Sequence, residues 1–99
     1  MKISIAFRHM DATEALKAHA QEKSEKLRKY LNGETQLTWT FSVDAGVHVA
    51  DVHAKGPHLD FFAESKTEDM YQSIEEATDK LEKQLRKHKE ILKDHLHRK

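Results

Sequence analysis

Ninety-nine residues, 37% apolar and 34% charged, suffice for one domain with a thin core and exclude two independent cores. The absence of cysteine excludes disulfides, thiolate metal sites and a cysteine nucleophile, and no run approaches the roughly 20 apolar residues of a membrane span. The formal net charge is zero but divided: residues 80–99 carry eight Lys/Arg against three acids, residues 1–79 nine against fourteen.

Ile3, Ile5 and Phe7 alternate with Lys2, Ser4, Ala6 and Arg8, a period of two that predicts a half-buried strand over 2–8. The same stretch is too short in apolar residues for a secretory leader, so the chain is expected to be cytoplasmic. Asp11 followed by Glu14 has capping-box spacing and predicts a helix starting there. Its inward stripe would be Ala12, Leu16, Ala20, Leu27 and Tyr30/Leu31, with Lys23 on the same side. Asn32-Gly33 would end it, Gly33 taking the left-handed cap conformation.

Residues 35–43 alternate again, with Leu37, Trp39, Phe41 and Val43 on one face. Asp44-Ala45-Gly46 predicts a turn, 47–54 a strand whose facing the pattern leaves open, and Lys55-Gly56-Pro57 a second turn. Residues 58–65 predict a fourth strand with Leu59, Phe61 and Ala63 on one side. Thr67 or Ser65 would cap a last helix whose first turn holds Glu68 and Asp69, the right sign for a positive helix end. Its stripe is Met70/Tyr71, Ile74, Ala77/Thr78, Leu81, Leu85, His88 and Leu92. The order β-α-β-β-β-α, with short turns joining the last three strands into an antiparallel meander, predicts an α+β two-layer sandwich. In it, two helices pack on one face of a four-stranded sheet, as a single domain over residues 1–99.

With Leu81, Leu85 and Leu92 turned inward, Lys80, Lys83 and Lys87 fall along one flank of the last helix. Arg86, Lys89 and Lys93 fall along the other, with Asp79 and Glu90 between. The first helix adds Lys17, Lys23, Lys26, Arg28 and Lys29, and side by side the two helices can share a basic stripe. The plain alternative is a solvated face with internal pairs such as Glu82 with Arg86. Three acids do not neutralise eight bases over about 30 Å of helix, which favours a surface for a polyanion, RNA being the commonest in a cell.

Asp69-Met70-Tyr71, Ile74, then Asp79-Lys80-Leu81, Lys83-Gln84-Leu85 and Lys87-His88-Lys89 closely resemble the C-terminal helix of the short ribosome hibernation-promoting factors. These are relatives of ribosome-associated inhibitor A and of the N-terminal domain of the long hibernation factors. Thr13-Glu14-Ala15-Leu16, Lys23, Lys26-Leu27 and Tyr30 resemble the family's first helix, so the likeness spans the chain. The resemblance implies a stress or stationary-phase translation inhibitor in the messenger and transfer RNA channel of the small ribosomal subunit, near the decoding centre. It implies rRNA contacts at Lys23, Lys26, Lys80, Lys83, Lys87 and Lys89, to which Arg86 is added on its charge. It also implies the short, promoting type, without a dimerisation domain or the inhibitor's long tail, so that a second factor would bring ribosomes together. Residues 44–60 are less typical of the family.

Catalysis and metals find little support. Eight histidines occur, but His48 and His53 fall on opposite strand faces, and His95 and His97 stand about 200° apart on a helix. Neither a cofactor nor a metal is expected. Asp44, Asp51 and Asp60 with the strand histidines could form a small hydrolytic site, the least favoured alternative; a generic structured-RNA module is the other. Trp39, Tyr30, Tyr71, Phe41 and Phe61 read as core, whereas Phe62 points to the open sheet face, beside Val47 or Val49.

Overall fold

The alternating runs become four strands, β1 Lys2–Arg8, β2 Gln36–Asp44, β3 Val47–Gly56 and β4 Leu59–Thr67. The helical stripes become α1 Glu14–Ser24, continued by a 3₁₀ segment Glu25–Tyr30, and α2 Met70–His97. This is a computed structural model, which describes the backbone of residues 1–97 and the side chains through Ile91. The expected roles of Leu92, Lys93, His95 and His97 therefore lie outside the described side chains. No helix among the described residues is long and apolar enough to cross a membrane.

The strands lie in chain order, β1 parallel to β2 and the later pairs antiparallel. A parallel pair needs a crossover, and α1 with its 3₁₀ extension supplies it. The β2–β3 connection is tight: Asp44 pairs with Val47, leaving Ala45 and Gly46 as a two-residue turn with φ of 51° and 80°. Two positive φ values are what the twist of such a hairpin requires. Gly46 adopts one freely, whereas Ala45 does so at a cost of about 1–2 kcal/mol.

Cross-strand register aligns the core in rows. Ile5, Trp39, Val52 and Ala63 form the middle row, with Ile3, Leu37, Ala54 and Phe61 on one side and Phe7, Phe41, Ala50 and Ser65 on the other. Both helices cover this face. Leu16, Ala20 and Leu27 meet it from one side, and Met70, Ile74, Ala77, Leu81 and Leu85 from the other, as one continuous apolar cluster. The facing of β3 is thereby settled: Ala50, Val52 and Ala54 point inward.

Several local expectations are corrected. The first helix is capped by Thr13, whose hydroxyl accepts the Leu16 amide at 3.1 Å, not by Asp11, and Ala12 is exposed. Hydroxyl and carboxylate are both good caps, and the one standing directly before the buried stripe wins. Gly33 has no left-handed φ; the chain turns extended at Leu31, and the Asn32 side chain accepts the Glu34 amide at 2.9 Å. The last helix starts at Met70, directly after Glu68-Asp69, so its first turn holds neither acid. Asp69, rather than Thr67 or Ser65, accepts the Tyr71 amide at 3.2 Å. Ser65 donates instead to Glu76 at 2.7 Å. Tyr71 leaves the stripe and is exposed.

The opposite sheet face carries polar rows, one of which sets Asp51 directly across from Glu64. Burial first, and then the facing Glu64, push the Asp51 carboxyl up to about 6 against the weaker pull of Lys66 and Arg8. A raised carboxyl pKa means that the folded state binds the extra proton, so stability falls as pH climbs from about 4 to 6. Asp51→Asn is therefore expected to raise the thermal midpoint by a few degrees at pH 7.5. The gain should shrink below pH 6 and vanish below about pH 4, as read by melting curves across that range. A pH-independent gain would contradict the assignment.

Candidate nucleic-acid interface

The change from α1 to a 3₁₀ helix positions the basic residues. At Ser24 the side chain turns back to donate to the Ala20 carbonyl at 2.7 Å and accepts the Trp39 indole N–H at 2.9 Å. Such back-bonding by serine disturbs helix geometry. Three residues per turn then align Ser24, Leu27 and Tyr30 on one edge. Ser24 and Leu27 are fully buried and Tyr30 is half-buried, which leaves Lys26, Arg28 and Lys29 facing water.

These cations border α2. Lys26, Arg28 and Lys29 line a cavity of about 490 Å³ with Glu25 and Glu82. Beyond it, the Tyr30 ring lies beneath two ammonium groups, Lys29 from its own segment at 5.3 Å and Lys89 from α2 at 5.8 Å from the ring centre. Arg86 completes the group. The Tyr30 phenol oxygen, and then Glu82 and Glu90, raise its pKa above the usual arginine value. Glu82 stands 3.8 Å away. Arg28 is held by both oxygens of Glu25 at 2.8 Å, which raises the guanidinium and lowers the carboxyl.

The second flank of α2 meets the outer edge of β4. Lys80 donates to the Glu64 carbonyl at 2.8 Å and Gln84 to the Phe62 carbonyl at 2.9 Å, satisfying acceptors that an edge strand leaves free. Lys87 lines a cavity of about 340 Å³ with Phe61, Gln84, His88 and Ile91. Lys83 is exposed on the ridge between the flanks, and Lys23 is half-buried on α1. Of the seven expected contacts, the structure places Lys26 at the cavity lined with Glu25 and Glu82, and Arg86 and Lys89 of α2 at Tyr30. It sets Lys80 and Lys87 at the β4 edge, with Lys83 and Lys23 apart. Among the described residues only Arg86 of the seven forms an ion pair. Lys29, expected in the basic stripe but not among the seven contacts, and Tyr30, expected in the core, both join this face. A lysine adjacent to an aromatic at the end of the basic run was the available signal.

The histidines divide. His53 pairs with Asp60, lowering that carboxyl, and stands opposite Phe62, which is 53% exposed. Phe62 therefore neighbours His53 and not Val47 or Val49, whose register partners lie further along the strands. His48 faces the helices, and its carbonyl accepts the Ser73 hydroxyl at 2.7 Å. His19 bridges the helices, 3.4 Å from Glu75 and edge-on to the Tyr71 ring. Among the described residues, no three His, Asp or Glu side chains converge as metal ligands.

A family model described as Sigma 54 modulation protein / S30EA ribosomal protein matches residues 3–93. The ribosome hibernation promoting factor of Escherichia coli (strain K12) is 34% identical over 97 residues, covering 96% of this chain and 100% of that protein. The crystal structure of the Thermus thermophilus Protein Y N-terminal domain matches with a TM-score of 0.81 at 25% identity, over 89% of this chain and 99% of that one. A ribosomal subunit interface protein from Coxiella burnetii shares the fold, with a TM-score of 0.79 at 24% identity over 90% and 98% of the two chains.

Proposed function

This chain belongs to the Sigma 54 modulation protein / S30EA ribosomal protein family, and from that premise we propose that it binds the small ribosomal subunit and holds ribosomes in a hibernating, non-translating state. It acts in the cytoplasm, where ribosomes are, and occupies the messenger and transfer RNA channel near the decoding centre. The contacts to 16S-type rRNA are Lys23, Lys26, Lys80, Lys83, Arg86, Lys87 and Lys89. The observation that carries the reading is the groove in which cations of the 3₁₀ segment and of α2 meet around Tyr30. Ammonium and guanidinium groups neutralise phosphates, and their fixed spacing on a rigid two-layer platform suits recognition of folded RNA by shape. Occupancy excludes messenger and transfer RNA sterically, so no reaction is needed.

Sedimentation with purified small subunits at increasing salt tests this. Six to ten phosphate contacts lose roughly 10³- to 10⁵-fold in affinity between 50 and 200 mM salt, so the protein is expected to pellet at the lower concentration and to be released at the higher. Failure to pellet at low salt, or retention indifferent to salt, would refute the reading.

A further inference from the structure

Beside the groove lies a smaller hollow of different chemistry, about 290 Å³ in volume. The end of the 3₁₀ segment, the β3–β4 turn and α2 enclose it, and its walls include Lys29, Tyr30, His58, Leu85, His88 and Lys89. No carboxylate lines it, whereas Glu25 and Glu82 line the larger cavity among the cations. Pro57, exposed, and Leu59, half-buried, supply its apolar wall. The Lys29 and Lys89 ammonium groups, both drawn to the Tyr30 ring, fix positive charge along one wall. His58 is exposed on the turn, and His88 is half-buried with its ring edge-on to Phe61 at 5.2 Å.

We propose that this hollow takes one unstacked nucleotide of an RNA strand, its phosphate between Lys29 and Lys89 and its base against Leu59 and the imidazoles of His58 and His88. The inference rests on the RNA-binding reading above and names a site within it. Its volume stands at the small end of ligand pockets, which start near about 300 Å³, so it suits a single nucleotide rather than a stacked run. Flat π-faces bind bases with little regard to identity, and lysine supplies the backbone charge. Lys83 and Lys87, on the ridge and the β4 edge, are not among its walls.

The full-length protein can be titrated with inorganic phosphate, UMP and the tetranucleotide r(U)4, following the side-chain NMR signals of Tyr30, His58 and His88. The site predicts shifts at all three residues and binding of r(U)4 at least about tenfold tighter than phosphate, the fold-change one stacked base supplies. His58→Ala, on an exposed turn that leaves the fold intact, is expected to weaken r(U)4 about tenfold and phosphate hardly at all. Lys89→Gln should weaken both. Equal affinity for phosphate and r(U)4 would reduce the hollow to an anion patch, and UMP shifting the three signals while r(U)4 leaves them unmoved would make it a free-nucleotide site. Either result overturns the proposal. If r(U)4 leaves these signals unmoved while the protein still sediments with small subunits, the pocket alone falls. If r(U)4 shifts them while sedimentation fails, the ribosome reading falls and the pocket stands.

Discussion

Replacing Lys83 and Lys87 together by glutamate is expected to lower affinity for small ribosomal subunits roughly a thousandfold at about 150 mM salt. Each lysine that neutralises a phosphate contributes nearly one power of ten there through counterion release, and reversal of sign roughly doubles the loss. The fold should survive. Both side chains are exposed, neither forms an ion pair among the described residues, and glutamate sustains a helix about as well as lysine. New like-charge neighbours one turn apart, such as Asp79 with Glu at 83, cost only a few tenths of a kcal/mol each. Circular dichroism verifies the helix, and sedimentation reads the binding. The control is an equal charge change on the other side of the molecule. Lys2→Glu with Lys55→Glu alters two exposed lysines on the open sheet face, which β2 register places in one row across Gln36. It is expected to retain most binding. Equal losses in the two variants would mean that overall charge, and not the helical face, governs association.

The legibility of this molecule follows the range of the interactions involved. Alternation in Leu37–Trp39–Phe41 and the three- and four-residue steps of Ile74–Leu81–Leu85 are local consequences of burying one face, so element types and their order could be read directly. Short turns dictated the meander. The break at Ser24 could not be read, because it depends on an indole fifteen residues away that supplies the serine with a partner. A continuous α-helix fitted the apolar spacing through Leu31 equally well. Phe62 was assigned to the correct face but the wrong neighbours, since register is a property of two strands and each pattern reports only one. For the basic face the charges and flanks of α2 were visible. Which flank would meet the 3₁₀ segment, and that Tyr30 would gather Lys29 and Lys89, depended on helix packing.

Trp39→Ala is expected to destabilise the fold by about 3–5 kcal/mol, a large share of the roughly 5–15 kcal/mol available to a domain of this kind. Trp39 is fully buried in the middle row of the sheet, against Phe41 at 5.7 Å, and truncation leaves a cavity beneath both helices. Part of the cost lies in its polar end, which a mutant cycle isolates. Ser24→Ala strands the buried indole N–H, a loss of about 1–3 kcal/mol, whereas Trp39→Phe removes that donor and leaves Ser24 bonded to the Ala20 carbonyl. The double variant Ser24→Ala/Trp39→Phe should therefore cost less than the sum of the singles, as measured by urea unfolding; strict additivity would deny the coupling. The bond also reaches the binding face. Were the helix to continue as α past Ser24, Lys29 would rotate by about 100° relative to its 3₁₀ position, since each residue turns 100° instead of 120°. Ser24→Ala is thus expected to weaken small-subunit binding at temperatures where it remains fully folded, a loss that stability alone would not produce.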